Sequence, residues 1–139
     1  MPADEVFGDC YKKTSYRACL GKSYLDFRVD QRSGKKSWFV KSQWVTSWAF
    51  ISAENPHSIL FTDRRNKARS GRLLRHLQAR NMKYLLGLGV PDSDDWPVEL
   101  GFFVLNISAN EARRIGRKFS QHAIVFFICL KPIKLIWLA

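Results

Sequence analysis

The longest uninterrupted apolar run in this chain is eight residues, 123–130, and it stops at Lys131 and Pro132 before a second run over 133–138. A helix that crosses a bilayer needs roughly 18 apolar residues, so these segments predict strands of a soluble domain and no membrane association. Residues 46–53, T-S-W-A-F-I-S-A, predict a central strand ending in the turn Glu54-Asn55-Pro56-His57, and residues 100–107 predict another strongly apolar strand. Alternation is weak over 15–20 and clear over 24–29, and both predict strands, as does 83–88. Residues 31–36 form a basic turn cluster, 37–44 fit neither period, and 87–97, rich in Gly, Pro and Asp, predict a loop.

Two stretches carry helical periodicity instead. From Asp63 to about Arg80, with Thr62 as N-cap, Leu73, Leu74 and Leu77 fall on one stripe that Asn66 and Ser70 share. The opposite arc carries Arg64, Arg65, Arg72 and Arg75, with Arg69 and His76 at the border. Ser108-Ala109-Asn110-Glu111 is a capping box, so a second helix is expected over 109–119, burying Ala112, Ile115 and Phe119 and exposing Arg113, Arg114, Arg117 and Lys118. The order of strands and helices implies an α+β fold: a single, mostly antiparallel or mixed sheet with two helices packed on it. With 139 residues there is room for one domain, taken as 14–139 after a polar lead-in over 1–13.

Twenty-three Lys and Arg against twelve Asp and Glu leave a net charge of +11, a balance that commonly accompanies binding to polyanions. Three scattered cysteines, Cys10, Cys19 and Cys129, have neither metal-ligand nor redox spacing and are expected as free thiols in a reducing cytoplasm. No P-loop, G-x-S-x-G, H-E-x-x-H or G-x-G-x-x-G is present, and Asp92, Asp94 and Asp95 lack the rest of a calcium loop, so neither cofactor nor metal is expected.

The string Trp48-Ala49-Phe50-Ile51-Ser52-Ala53-Glu54-Asn55-Pro56 is followed by Asn66 and Arg69, by Gly87-Leu88-Gly89, by Trp96 and Glu99 before the strand from Gly101, and by Gln121-His122-Ala123. In this order, over roughly residues 11–135, the chain resembles the bacterial domain of unknown function 3293. Ser52 stands where that family usually has Thr, and His122 where it usually has Asn. The resemblance supports the α+β fold and a candidate site but implies no activity.

Two constellations follow. Asn55, Asn66, Arg69, Glu99 and Gln121 either brace a loop against a helix or hold a small polar or phosphate-bearing ligand. In the second case Glu99 would be the catalytic acid–base group and Arg69 the anion clamp. Arg64, Arg65, Arg69, Arg72 and Arg75 on one helix, with Arg113, Arg114, Arg117 and Lys118 on the other, form a basic surface if both helices cover one face. Lys12, Lys13, Arg32, Lys35 and Lys36 would extend it, with Trp38 and Trp44 able to stack bases if exposed. The leading expectation is a basic module contacting nucleic acid or another polyanion, including an acidic protein surface, with little sequence discrimination. The alternatives are a small enzyme or ligand sensor for a phosphate-bearing metabolite or nucleotide, and an inhibitor or accessory protein of a larger partner.

Overall fold

The computed structural model describes residues 3–32 and 45–138. Seven strands among them form one sheet: β1 (Thr14–Leu20), β2 (Ser23–Phe27), β3 (Ser47–Ser52), β4 (Tyr84–Pro91), β5 (Glu99–Leu105), β6 (Ala123–Ile128) and β7 (Lys134–Trp137). Their order is β2-β1-β4-β5-β3-β6-β7 and every pairing is antiparallel, which resolves the choice between an antiparallel and a mixed sheet. The sheet curls into a half-barrel. Three helices accompany it: α1 (Ala3–Lys12), α2 (Asp63–Ala79) and α3 (Ala109–Lys118).

Strand alternation divides the core in two. On the convex face Ala49, Ile51, Phe102, Val104, Ile124 and Phe126 meet Leu73 and Leu77 of α2 and Ala112 and Ile115 of α3. The concave face is aromatic: Trp48 stacks on Phe127, and Phe27, Phe50 and Phe103 fill the space around them. Thr62 and Ser108 cap α2 and α3, accepting from the backbone N–H of Arg65 at 3.2 Å and of Glu111 at 3.1 Å. Both helices therefore pack on the sheet as the periodicity requires.

Two expectations need correction. Residues 3–12 are helical rather than a polar lead-in, because Phe7 and Tyr11 fall on one helix face and find ring partners: Phe7 against His122, and Tyr11 edge-on to Trp137 at 5.5 Å. The loop expected over 87–97 starts later, since β4 continues to Pro91 and only 92–97 is loop. At Gly87 and Gly101 the lack of a side chain makes room for rings. Gly87 pairs with Gly101 across β4 and β5. A Cβ at Gly101 would lie 2.5 Å from Phe50 Cζ, and one at Gly87 would lie 2.7 Å from the Phe103 ring. The expected stacking residues Trp38 and Trp44, with Lys35, Lys36 and Lys41, lie outside the described residues, as does the ambiguous stretch 37–44.

Candidate functional site

At the mouth of the concave face a cavity of about 290 Å³ opens between β3, β4, β5, β6, the loop before β5 and the inner side of α1. Its floor widens at Gly89, where a side chain would stand 3.6 Å from Tyr16 and 3.7 Å from Phe50 and project into the space. Phe7, Tyr11, Tyr16, Phe50 and Trp96 supply aromatic walls. Asn55, Ser58, Glu99, Gln121 and His122 supply the polar groups. That mixture, mostly apolar with a few convergent polar atoms, is the composition of a ligand pocket, and the volume is at the small end of the range of roughly 300–1,000 Å³.

The turn after β3 aims two of those groups. Asn55, His57 and Ser58 all take left-handed backbone conformations, with φ of 47°, 54° and 58°. Such conformations cost an L residue with a Cβ free energy unless surrounding contacts hold them, and Asn is the residue that tolerates them best. The contacts are present. Asn55 N–H donates to Asn66 Oδ1 at 2.9 Å, and Asn66 Nδ2 donates back to Asn55 Oδ1 at 3.0 Å. The same Asn55 oxygen accepts from Phe61 N–H at 2.9 Å, while Asn55 Nδ2 donates to Glu99 Oε2 at 2.7 Å. An amide is required here: an Asp would set its carboxylate against that of Glu99.

The carboxyl of Glu99 is pushed up to about 7. Burial in the cavity wall is the main cause; hydrogen bonds from Asn55 and Trp96 work against it, and the nearby carboxylate of Glu54 adds to it. Glu54 is held in turn by the backbone N–H of Leu100 at 2.9 Å and the Ser70 hydroxyl at 3.3 Å. Burial and the negative charge of Glu99 raise the phenols of Tyr11 and Tyr16, so both stay neutral near pH 7. The Tyr11 hydroxyl is near Ser58, whose Oγ lies 2.9 Å from His122 Nδ1. Burial, with the neighbouring His57, lowers His122, which is therefore neutral near pH 7. Tyr11, Ser58 and His122 thus share the cavity lining with a carboxyl poised to gain or lose a proton.

Of the five residues of the polar constellation, Asn55, Glu99 and Gln121 line the cavity, and Asn66 and Arg69 do not. Asn66 is buried behind Asn55. Arg69 does not reach Glu99. Its Nε donates to the carbonyl of Ala53 at 2.5 Å and a terminal nitrogen to that of Phe119 at 2.6 Å, which ties α2 to the ends of β3 and α3. Gln121 Nε2 donates to the carbonyls of Glu54 and Phe119, both at 3.2 Å, and His57 N–H to that of Ser120 at 2.8 Å, so the loop before β6 is stitched to the turn after β3. That stitching brings His122 against Ser58. Tyr11, Tyr16 and Ser58 were not singled out as site residues. For Tyr11 the signal was its spacing of four from Phe7; for Ser58 none existed beyond the turn itself.

The basic residues of α2 and α3 lie on the other side of the sheet, whereas Lys13 lines the cavity. Arg64, Arg65, Arg72 and Arg75 of α2 and Arg114, Arg117 and Lys118 of α3 are exposed, and Arg113 is half-buried. The two helices meet where His76 packs edge-on against Phe119 and Arg80 pairs with Glu111 at 3.2 Å. Part of the charge is engaged locally: Glu111 also holds Arg114 at 2.9 Å, Arg117 donates to the Leu138 carbonyl at 3.2 Å, and Arg65 stacks over Phe61.

A family model described as a protein of unknown function, DUF3293, matches residues 51–124. The chain belongs to that family. The span matched in this DUF3293 protein runs from the end of β3 to the start of β6 and so contains Asn55, Ser58, Asn66, Arg69, Trp96, Glu99, Gln121 and His122. It leaves out α1 and β1, which bring Tyr11 and Tyr16 to the cavity, and it is narrower than the 11–135 over which the motifs run. No curated protein and no solved structure matches the chain. Among the described residues of this DUF3293 protein, no helix is long and apolar enough to cross a membrane, and no group of His, Cys, Asp or Glu is placed to hold a metal ion. Cys10, Cys19 and Cys129 are free, with Cys10 exposed.

Proposed function

We propose that this protein binds a small organic molecule in the concave cavity and performs acid–base chemistry on it through Glu99. The observation that carries the reading is a carboxyl pushed up to about 7 inside an aromatic-walled cavity, where it is divided between acid and base at neutral pH. Neutral Tyr11 and the Ser58–His122 pair add donors and an acceptor across the cavity. Ser58 is a poor candidate for a nucleophile. The backbone N–H groups of His57, Ser58 and Ile59 are all donated within the fold, so none of them is free to stabilise an oxyanion.

The test is a ¹³C-carboxyl NMR titration of Glu99 combined with a ligand screen against the wild type and a Gly89→Leu variant that fills the cavity. A titration midpoint near 7 and ligands lost in Gly89→Leu support the reading. A midpoint in the ordinary carboxyl range, near 4.5, overturns it.

A second reading is favoured by one observation: α2 and α3 share the convex face, so their arginine arcs adjoin. In that reading the convex face holds nucleic acid by phosphate contacts, independently of the cavity. Fluorescence anisotropy with single- and double-stranded DNA and RNA at two salt concentrations tests it. Affinity should fall steeply with salt and drop when Arg72 and Arg75 are replaced; no binding at low salt refutes it. The free thiols fit a reducing compartment, which we take to be the cytoplasm.

A further inference from the structure

Three carboxyl groups line the cavity, Asp9 and Asp95 at the rim and Glu99 in the wall, and among the described residues Lys13 is the one Lys or Arg of the lining. No arginine among the described residues lines the cavity, and Arg69, the expected anion clamp, is committed to two backbone carbonyls. An anionic ligand would therefore enter a space where carboxyl groups outnumber cations.

Glu99 itself carries the argument further. The Asn55 amide bonds it at 2.7 Å and the Trp96 side chain is near, and both are neutral. No ion pair among the described residues includes it. A carboxylate taken out of water needs a counter-charge to remain ionised, and here the described residues supply hydrogen bonds without one. The aromatic rings of Tyr11, Tyr16, Phe50 and Trp96 line the same cavity. Aromatic rings beside a carboxylate are a recurring environment for organic ammonium groups, because the ring quadrupole and the anion attract the same charge.

We infer that the cavity takes a protonated organic amine, whose ammonium pairs with Glu99 and whose carbon skeleton packs against Trp96 and the two tyrosines. This rests on the cavity being a ligand site, as proposed above, and replaces the phosphate-bearing ligand expected from the sequence with a cationic one. Bound amine and Glu99 complete each other: the ligand is the counter-ion, and the carboxylate accepts hydrogen bonds from the ammonium.

Three probes that share a ring and differ in the head group separate the possibilities: benzylamine, benzyl alcohol and benzyl phosphate. Each is titrated into ¹⁵N-labelled protein at neutral pH, with the Trp96 indole N–H resonance, assigned through a Trp96→Phe variant, as the readout. Benzylamine should bind roughly tenfold or more tightly than benzyl alcohol, and benzyl phosphate should be the weakest. Glu99→Gln, checked for retained spectral dispersion, should make amine and alcohol equivalent. Preference for the phosphate or the alcohol overturns the amine assignment and leaves the cavity reading intact. An amine preference that survives Glu99→Gln also overturns the assignment, since the charge would then lie elsewhere. If no probe perturbs Trp96, the amine assignment and the cavity reading fall together.

Discussion

Replacing Glu99 by Gln should change stability in a way that depends on pH. In the unfolded chain the carboxyl titrates near its ordinary value of 4.5; in the fold it titrates near 7. Below the unfolded value the group is neutral in both states and carries no penalty. As pH rises from there towards 7, the unfolded chain releases a proton that the fold retains, so stability falls, and above about 7 the full cost of the buried carboxylate is present. The gap between the two values corresponds to roughly 3 kcal/mol, and the partial exposure of Glu99 reduces it to about 2 kcal/mol.

Gln removes the charge while its oxygen can still accept from Asn55 or Trp96. Urea denaturation at about pH 5 and about pH 8.5 should therefore find the variant about 2 kcal/mol better off, relative to wild type, at the higher pH than at the lower. His122 and His76, both lowered by burial, contribute the opposite slope, with stability lost as pH falls through the histidine range, but they do so in both proteins and cancel in the comparison. A difference between variant and wild type that is the same at both pH values would refute the reasoning, because it would mean that Glu99 is not carrying an unpaired charge in the fold.

Asn55→Ala leaves Phe61 N–H and the Asn66 amide without their acceptor and places a non-Asn residue at φ 47°, so it should cost roughly 2–4 kcal/mol by urea unfolding. Asn55→Asp should raise the Glu99 carboxyl further, read as a shifted midpoint in the same ¹³C titration. Gly101→Ala forces a methyl to 2.5 Å from Phe50 and 2.9 Å from the Ile51 carbonyl, and should lower stability by roughly 1–3 kcal/mol. Gly89→Ala meets only ordinary contacts, so it should leave the melting temperature nearly unchanged while narrowing the cavity.

Much of the architecture was legible because local rules and tertiary packing agree. The α2 stripe of Leu73 and Leu77 is buried, Thr62 and Ser108 cap their helices, and β6 and β7 pair antiparallel around Leu130. The failures have identifiable causes. Gly87 and Gly89 carry a turn signature, but β4 runs through both, and at Gly87 the constraint is non-local: rings from β3 and β5 occupy the space its side chain would need. Residues 3–12 are too polar on average to announce a core helix, and the few apolar side chains that dock it find partners more than a hundred residues away.

The sequence by itself determined the class of fold, the two arginine-bearing helices, the charge, and the polar residue types of the Asn55, Glu99 and Gln121 neighbourhood, because periodicity, capping and composition are properties of short windows. Only the tertiary structure decided which of those residues share a cavity. It turned Arg69 to backbone carbonyls and away from Glu99, brought Tyr11, Ser58 and His122 to one cavity, and set the arginines of α2 and α3 on the convex face and Glu99 on the concave one. The reason is that hydrogen-bond partnership and desolvation depend on what is near in space, and in a sheet ordered β2-β1-β4-β5-β3-β6-β7 neighbours in space are mostly strangers in sequence.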